Sequence, residues 1–192
     1  MIEKIVVSIL ERIMNERTLS DDEYIVYNYG LTSGVEILIW YLMCIATALF
    51  LQMIPETIAF LLIFTTTRSL IGGIHLKRYG TCVILSYFTF LLVVFLVDRI
   101  EISSLQTTYY ITIALIIVIR QSCNIECKHH MRIGDSSPKN FLKTVLCLDV
   151  WEIIVTFLFL TKSIIILKTI LWTMVIVCIS KYIEKAKNHF CN

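Results

Sequence analysis

A histidine and a cysteine seven positions apart are the residues of this chain best suited to covalent chemistry. His75 and Cys82 would lie about 10.5 Å apart along the axis of one continuous helix, too far for a hydrogen bond. Gly80 lies between them and allows the chain to bend, which could bring the two side chains into contact. An imidazole placed there would take the thiol proton and leave the thiolate, the nucleophilic form of cysteine. The spacing is therefore compatible with a cysteine nucleophile and a histidine base.

Basic residues and glycines surround this pair. Arg68, Lys77 and Arg78 add positive potential that favours a thiolate, and a helix beginning beside the thiol would add to it. Backbone N–H groups around Gly72 and Gly73 are candidate donors to an oxyanion, because glycine permits close backbone approach. The same pattern has a plainer interpretation, in which the His and Cys are incidental and the basic residues anchor the chain at a membrane surface.

The elements that position these residues are predicted to be membrane spans. Of the 192 residues, 57% are hydrophobic and 17% are charged, whereas a soluble domain has about 45–50% apolar and about 25% charged residues. The apolar residues form runs of about 15 to 20, long enough to cross a bilayer core of roughly 30 Å. This composition argues against a soluble enzyme and a disordered chain. A net charge of +2 provides no basic stripe for nucleic acid, and the 7 scattered cysteines do not resemble a disulfide scaffold.

The N-terminal residues have the pattern of an amphipathic helix. Apolar residues recur at helical spacing from Ile2 to Ile13, with charged residues on the opposite face. This pattern is typical of a helix lying in the membrane interface, and packing against the rest of the protein is the alternative. A secretory signal peptide would need a continuous apolar core, which is lacking here. Ser20 and Glu23 fit a capping box, which predicts a second helix leading towards the membrane.

Six candidate spans follow and define the predicted all-α membrane domain. Their approximate bounds are 35–54, 57–67, 82–97, 105–119, 145–160 and 163–180. The second is short because Arg68 interrupts it, and a polar stretch from Arg120 to Lys143 separates the fourth from the fifth. Short, glycine-interrupted spans often mark working sites in membrane proteins. We therefore expect interfacial helices over 1–34, a six-span domain over 35–182 with a catalytic segment at 68–82, and a polar tail over 183–192.

The distribution of basic residues predicts the orientation of these spans. With a cytoplasmic N-terminus, 14 of the 17 Lys and Arg residues fall in cytoplasmic segments and 2 in outer loops, while Lys168 lies inside the last span. The positive-inside rule accounts for this asymmetry with both termini in the cytoplasm. It also places His75 and Cys82 near the cytoplasmic face of the cell membrane.

Some ionisable residues lie inside predicted spans, where a charge is costly unless it is paired or reaches water. Among them are Asp149, Glu152 and Lys168. Asp149 and Glu152 are three positions apart and so share one face of a helix. One interpretation is that the fifth span simply begins late. The other is that both carboxylates line the same cavity as His75 and orient it.

Four potential metal ligands fall within eight positions of the polar stretch. They are Cys123, Cys127, His129 and His130. Structural zinc sites usually combine closely spaced pairs that are a dozen or more residues apart, which this run does not match. A solvated cytoplasmic loop is the favoured interpretation, and we predict neither a metal nor a cofactor.

The residues between the second and third spans also resemble a known family. The run Arg68-x3-Gly72-Gly73-x-His75-x6-Cys82 is similar to the signature of the accessory gene regulator B family, membrane cysteine endopeptidases of Gram-positive quorum sensing. The resemblance implies that His75 and Cys82 are the catalytic pair and that Arg68 and Gly73 support them. It further implies cleavage of a signal-peptide precursor near its C-terminal side through an acyl-enzyme thioester, followed by closure of a thiolactone or lactone ring.

The resemblance extends over nearly the whole chain, although only that run is specific. The length, the amphipathic N-terminus and Tyr29-Gly30-Leu31 before the first span are similar to the family, whereas the Cys123–His130 run is a departure from it. The implied partners are the peptide precursor, membrane lipids and a second copy of the chain, with no nucleic acid. Two alternative functions stay open. One is a small transporter or channel, although this chain lacks the paired inverted repeats that are expected of a transporter. The other is a non-enzymatic membrane scaffold.

Overall fold

The computed structural model describes residues 6–11, 21–71, 79–100, 104–133 and 138–190, and these are helical apart from short connections. In order along the chain the helices are α1 (6–11), α2 (Asp21–Leu51), α3 (Ile54–Ile71), α4 (Tyr79–Arg99), α5 (Leu105–Ile133), α6 (Pro138–Leu160) and α7 (Ile164–Phe190). No strand occurs within the described ranges. The all-α class predicted from the apolar runs is therefore confirmed.

Three of the helices are long and apolar enough to cross a membrane by length and composition. Within the described residues these segments are Glu23–Leu51, Thr81–Arg99 and Ile164–Ile183. They overlap the first, third and sixth predicted spans, although the first begins at Glu23 and not near residue 35. The other three spans, and the side of the membrane on which the termini lie, stay predictions.

The second predicted span is longer than the sequence suggested. Arg68 does not interrupt α3 but lies in its last turn, and the helix continues to Ile71. The guanidinium lies over the ring of Phe64, 5.4 Å from its centroid. This cation–π contact, together with the favourable position of a cation at a helix C-terminus, explains why a charge is accommodated there.

The polar stretch between the fourth and fifth spans is helical over most of its length, so the prediction of a loop there was wrong. Helix α5 runs on to Ile133, and α6 begins at Pro138, where a proline is tolerated because the first turn needs no N–H donor. Likewise α7 continues to Phe190, through most of the predicted polar tail. Loss of apolar character marks where a helix leaves the apolar layer and not where its backbone hydrogen bonds stop.

The turn between α6 and α7 shows how these long helices are joined. Lys162, the second residue after α6, adopts a left-handed φ of 56°. Its N–H donates to the carbonyl of Phe159 at 3.2 Å, and the N–H of Ser163 donates to the carbonyl of Leu158 at 3.1 Å. These two bonds form a Schellman motif, which satisfies carbonyls that the helix end would leave unpaired.

The chain divides into two compact units. The first comprises Met1–Leu51 and Leu76–Phe88. Within it, Trp40, Cys44 and Ala48 form a buried stripe at four-residue spacing along α2. The hydroxyls of Thr47 on α2 and Tyr87 on α4 are 2.8 Å apart and share a hydrogen bond, which ties the first part of α4 to α2.

The second unit comprises Gln52–His75 and Thr89–Asn192. Helix α7 contacts α3, α5 and α6, and α6 contacts α3 and α5. The most deeply buried apolar side chains of this second unit include Phe60, Ile63, Phe90, Ile116, Leu148, Leu167 and Met174. The rings of Phe60 and Phe90 approach to 5.3 Å between centroids, which packs the second part of α4 against α3.

Candidate active site

The predicted nucleophile lies at the beginning of a helix. Cys82 is the fourth residue of α4 and so belongs to the first turn of that helix. Its side chain is a reduced, half-buried thiol. Its carbonyl accepts a hydrogen bond from the hydroxyl of Ser86 at 2.8 Å, one turn later. The positive end of the helix dipole therefore lies beside the thiol and favours a negative charge there.

Five of the predicted site residues fall outside the described part of the chain. His75, Gly72, Gly73, Lys77 and Arg78 belong to the segment 72–78 between α3 and α4. The contact between His75 and Cys82 thus stays a prediction. Along the chain this segment lies between Ile71, the last described residue of α3, and Tyr79, the first described residue of α4.

Side chains of α6 contact the end of α3 that leads into this segment. The hydroxyl of Thr144 donates to the carbonyl of Leu70 at 3.3 Å. The indole N–H of Trp151 donates to the hydroxyl of Thr66 at 3.2 Å. Both donors were absent from the sequence predictions, because only the packing of α6 on α3 aligns them with their acceptors.

The two carboxylates of α6 are paired with an arginine. Arg120 on α5 forms an ion pair with Asp149, and a second guanidinium nitrogen lies 3.7 Å from a carboxylate oxygen of Glu152. Each of the three side chains is about one-third exposed, at 33%, 40% and 31% respectively. A guanidinium between two carboxylates explains how three ionisable groups are accommodated in these helices. Whether the carboxylates also orient His75 stays a prediction.

Sequence reasoning missed the pairing role of Arg120, although a signal for it was present. Two carboxylates on one face of a span require a counter-charge, and Arg120 lies at the corresponding end of the neighbouring predicted span. Glu36 was also overlooked. It lies within the span Glu23–Leu51 and is only 9% exposed. An ionisable residue inside an apolar run is the signal that would have identified it.

One of the four potential metal ligands has a different partner. The Lys181 ammonium donates to the sulfur of Cys123 at 3.0 Å, and both side chains are buried. Cys123 and the three residues grouped with it lie on the helical continuation of α5 and not in a loop. Among the residues described, no three His, Cys, Asp or Glu side chains come together as metal ligands would.

The helices and the placement of Cys82 define a class: an all-helical membrane protein with a reduced thiol at a helix N-terminus. The model of one protein family, accessory gene regulator B, matches residues 4–181. The chain therefore belongs to the accessory gene regulator B family, as the resemblance of its central motif implied. That family consists of membrane proteins involved in processing autoinducer peptides in quorum sensing. Searches of curated proteins and of solved structures each gave no match.

Proposed function

We propose that this protein is a membrane cysteine endopeptidase that removes the C-terminal part of a quorum-sensing propeptide. The observation that carries the proposal is the position of Cys82, a half-buried thiol in the first turn of α4, directly after the segment that contains His75. Family membership over residues 4–181 supports the same activity. A helix N-terminus beside a cysteine lowers the cost of forming the thiolate, which is what nucleophilic catalysis requires.

The first half of the proposed reaction forms an acyl-enzyme. His75 takes the proton from the Cys82 thiol, and the thiolate attacks the carbonyl carbon of the scissile peptide bond. The oxyanion of the tetrahedral intermediate is stabilised by backbone N–H groups around Gly72 and Gly73. As the intermediate collapses, the carbon–nitrogen bond breaks and His75 returns the proton to the leaving amine. The C-terminal fragment leaves, and the rest of the propeptide stays attached to Cys82 as a thioester.

The second half of the reaction closes a ring. A thiol or hydroxyl of the bound propeptide attacks the thioester carbonyl while His75 takes its proton. The bond to Cys82 then breaks, the proton returns to the Cys82 sulfur, and a thiolactone or lactone is released. A site within the membrane suits this outcome, because excluding water protects the thioester from hydrolysis.

The basic residues near the pair have an electrostatic role in this proposal. Arg68 is held over Phe64 at the C-terminal end of α3 and contributes positive potential at the start of the segment. Lys77 and Arg78 add to this potential immediately before α4. Together they favour the thiolate and the anionic intermediate over their neutral forms.

The proposal includes a topology and a set of partners. Six spans with both termini in the cytoplasm account for the count of 14 cytoplasmic basic residues against 2 in outer loops. In that arrangement the protein is a multi-pass protein of the cell membrane whose active site faces the cytoplasm, where a newly made propeptide is found. Its partners are the propeptide, membrane lipids and a second copy of the chain.

The proposal is tested by co-expressing the protein with a candidate propeptide that carries an epitope tag at its C-terminus. Cys82→Ala is expected to abolish release of the tagged fragment, and His75→Ala to slow it by about 10²- to 10⁴-fold, the range for general acid–base catalysis. Cys147→Ala is the matched control, because Cys147 is also a reduced, half-buried thiol but lies on α6.

Two outcomes decide the matter. Release of the fragment by wild type and Cys147→Ala but not by Cys82→Ala would support the peptidase. Undiminished release by Cys82→Ala would rule out the cysteine mechanism and return the protein to the transporter or scaffold alternatives.

A further inference from the structure

Two thiols and an ammonium group lie together where α5 contacts α7. Cys123 on α5 accepts a hydrogen bond from the Lys181 ammonium on α7, with 3.0 Å between nitrogen and sulfur. Cys178 is three positions before Lys181, so the two share one face of α7. Cys178 also lies within electrostatic range of both Lys181 and Cys123. All three residues belong to the second compact unit, and they form a cluster of nucleophilic groups apart from the proposed peptidase site.

The contact between Lys181 and Cys123 has a chemical consequence for the thiol. Cys123, Cys178 and Lys181 are only 9%, 8% and 7% exposed. A thiolate buried among apolar side chains is costly unless a counter-charge lies beside it. The Lys181 ammonium supplies that charge at hydrogen-bond distance, and hydrogen bonds between ionised groups are stronger than neutral ones. Cys123 therefore has the electropositive partner that is typical of a reactive cysteine.

The second thiol, Cys178, gives an oxidised Cys123 a partner within the same cluster. Both cysteines are free thiols in the structure. In the proposed topology the C-terminal parts of α5 and α7, which carry the cluster, lie towards the cytoplasm. Cytoplasmic thiols are kept reduced, and the disulfides that do form there are usually transient and respond to oxidants. A reversible change at this cluster fits that environment better than a permanent disulfide does.

We propose that Cys123 and Cys178 form an oxidation site, in which Lys181 activates Cys123 towards hydrogen peroxide. The Cys123 thiolate attacks one peroxide oxygen and the O–O bond breaks, which leaves a sulfenic acid on Cys123 and releases hydroxide. The Cys178 sulfur then attacks the sulfenic sulfur. A sulfur–sulfur bond forms, the sulfur–oxygen bond breaks, and the oxygen leaves as water with the proton of Cys178. In sum, the two thiols are oxidised to a disulfide and one peroxide is reduced to two waters.

The product of this reaction is a covalent bond between α5 and α7. It joins two helices that already contact one another, so the oxidation requires no rearrangement of the bundle. Reduction by a cytoplasmic thiol would reverse it by thiol–disulfide exchange. The proposal goes beyond the peptidase function and is independent of it, because neither His75 nor Cys82 takes part.

The test exposes the full chain in membrane vesicles to hydrogen peroxide near neutral pH. At intervals the protein is denatured, the remaining thiols are alkylated with iodoacetamide, and each cysteine peptide is quantified by mass spectrometry. Cys123 is expected to be oxidised faster than Cys147, although Cys147 on α6 is the more exposed thiol. Access alone predicts the opposite order, so this comparison separates activation from exposure.

Substitutions of Lys181 test the source of the activation. Lys181→Met keeps the length of the side chain but removes the charge. An ordinary thiol is only a few per cent thiolate near neutral pH, and a more acidic thiol gains up to about thirtyfold in thiolate while losing part of its nucleophilicity. We therefore expect Lys181→Met to slow oxidation of Cys123 about three- to tenfold. Lys181→Arg keeps the cation and should retain most of the rate.

Two controls accompany these variants. Lys168 lies on the same helix but about 20 Å from Lys181 along its axis, so Lys168→Met should leave the oxidation of Cys123 unchanged. Cys178→Ser should also leave the first step unchanged. It should instead prevent the disulfide and let the sulfenic acid of Cys123 accumulate.

The outcomes decide the two parts of the proposal separately. If Lys181→Met is oxidised at Cys123 as fast as wild type, the activating role of Lys181 is wrong. If oxidised Cys123 is found joined to a group other than Cys178, the role of Cys178 is wrong. Should Lys181→Met not accumulate in the membrane, the wild-type comparison decides, and faster oxidation of Cys147 than of Cys123 would overturn the proposal. Cleavage of the propeptide is not part of this measurement, so its failure would leave the oxidation site untouched.

Discussion

Replacing Arg120 by methionine tests the energetic importance of the ion pairs that join α5 to α6. The substitution keeps an unbranched side chain but leaves Asp149 and Glu152 without their counter-charge. Two unit charges about 4 Å apart attract by about 4 kcal/mol at an effective dielectric constant of about 20. Because all three side chains are about one-third exposed, solvent screens much of this attraction. Exposed ion pairs contribute about 0.2–1 kcal/mol to the free energy of unfolding, whereas removing one partner of a buried ion pair costs about 3–5 kcal/mol.

The expected loss for Arg120→Met therefore lies between these limits, at about 1–2 kcal/mol. It includes a small repulsion between the two carboxylates, which are three positions apart on one helix face. The measurement is the free energy of unfolding in detergent micelles, followed by tryptophan fluorescence. Neutralising both carboxylates in the Arg120→Met background, with Asp149→Asn and Glu152→Gln, should remove that repulsion and recover part of the loss.

The control is an ion pair that is too exposed to contribute. Asp98 and Arg99 lie 3.6 Å apart with side chains 68% and 69% exposed, so Asp98→Asn should change the free energy of unfolding by less than about 0.5 kcal/mol. The reasoning about Arg120 would be refuted if its substitution and those of the two carboxylates were additive within about 0.5 kcal/mol, because independent sites add in this way.

Three further substitutions probe the described contacts by the same unfolding measurement. Tyr87→Phe removes the 2.8 Å hydrogen bond to Thr47 between α2 and α4 and should cost about 0.5–1.5 kcal/mol. Phe90→Ala leaves a cavity at a fully buried position and should cost about 3–5 kcal/mol. Cys123→Ala removes one hydrogen-bond partner of the buried Lys181 ammonium and should cost about 1–3 kcal/mol.

Each of these has a control within the chain. Combining Tyr87→Phe with Thr47→Val should cost little more than either alone, and full additivity would mean that the hydrogen bond is not made. Phe88 is 64% exposed, so equal costs for Phe88→Ala and Phe90→Ala would contradict the assigned core. Cys147→Ala, at a half-buried position, should cost less than Cys123→Ala.

The helices themselves were largely predictable, and the reason is local. An apolar run in a bilayer must satisfy its backbone groups internally, so the runs at 82–97 and 163–180 predicted helices that the structure places at Tyr79–Arg99 and Ile164–Phe190. Helix ends were predicted less well. Hydropathy falls at Arg68 and at Arg120, yet both helices continue, because a polar side chain can form a helix as readily as an apolar one.

The candidate site was likewise predictable from the sequence only in part. Its central motif and the family were recognisable from residue types and spacing, since Arg68, Gly73, His75 and Cys82 lie within fifteen positions. The placement of Cys82 in the first turn of α4 adds the helix N-terminus as a source of positive potential. The distance between the catalytic pair stays a prediction, because His75 lies outside the described residues.

The sequence by itself therefore determined the class of protein, the order of its helices and the segment in which to look for chemistry. Only the tertiary structure decided that Arg120 binds Asp149 and Glu152, that Lys181 lies against Cys123, and that the Thr144 hydroxyl donates to the Leu70 carbonyl of α3. The physical reason is that backbone hydrogen bonds in a helix join residues four positions apart. Contacts between helices depend instead on how each helix is rotated and at what height it packs, and this follows from all the side chains at the interface together.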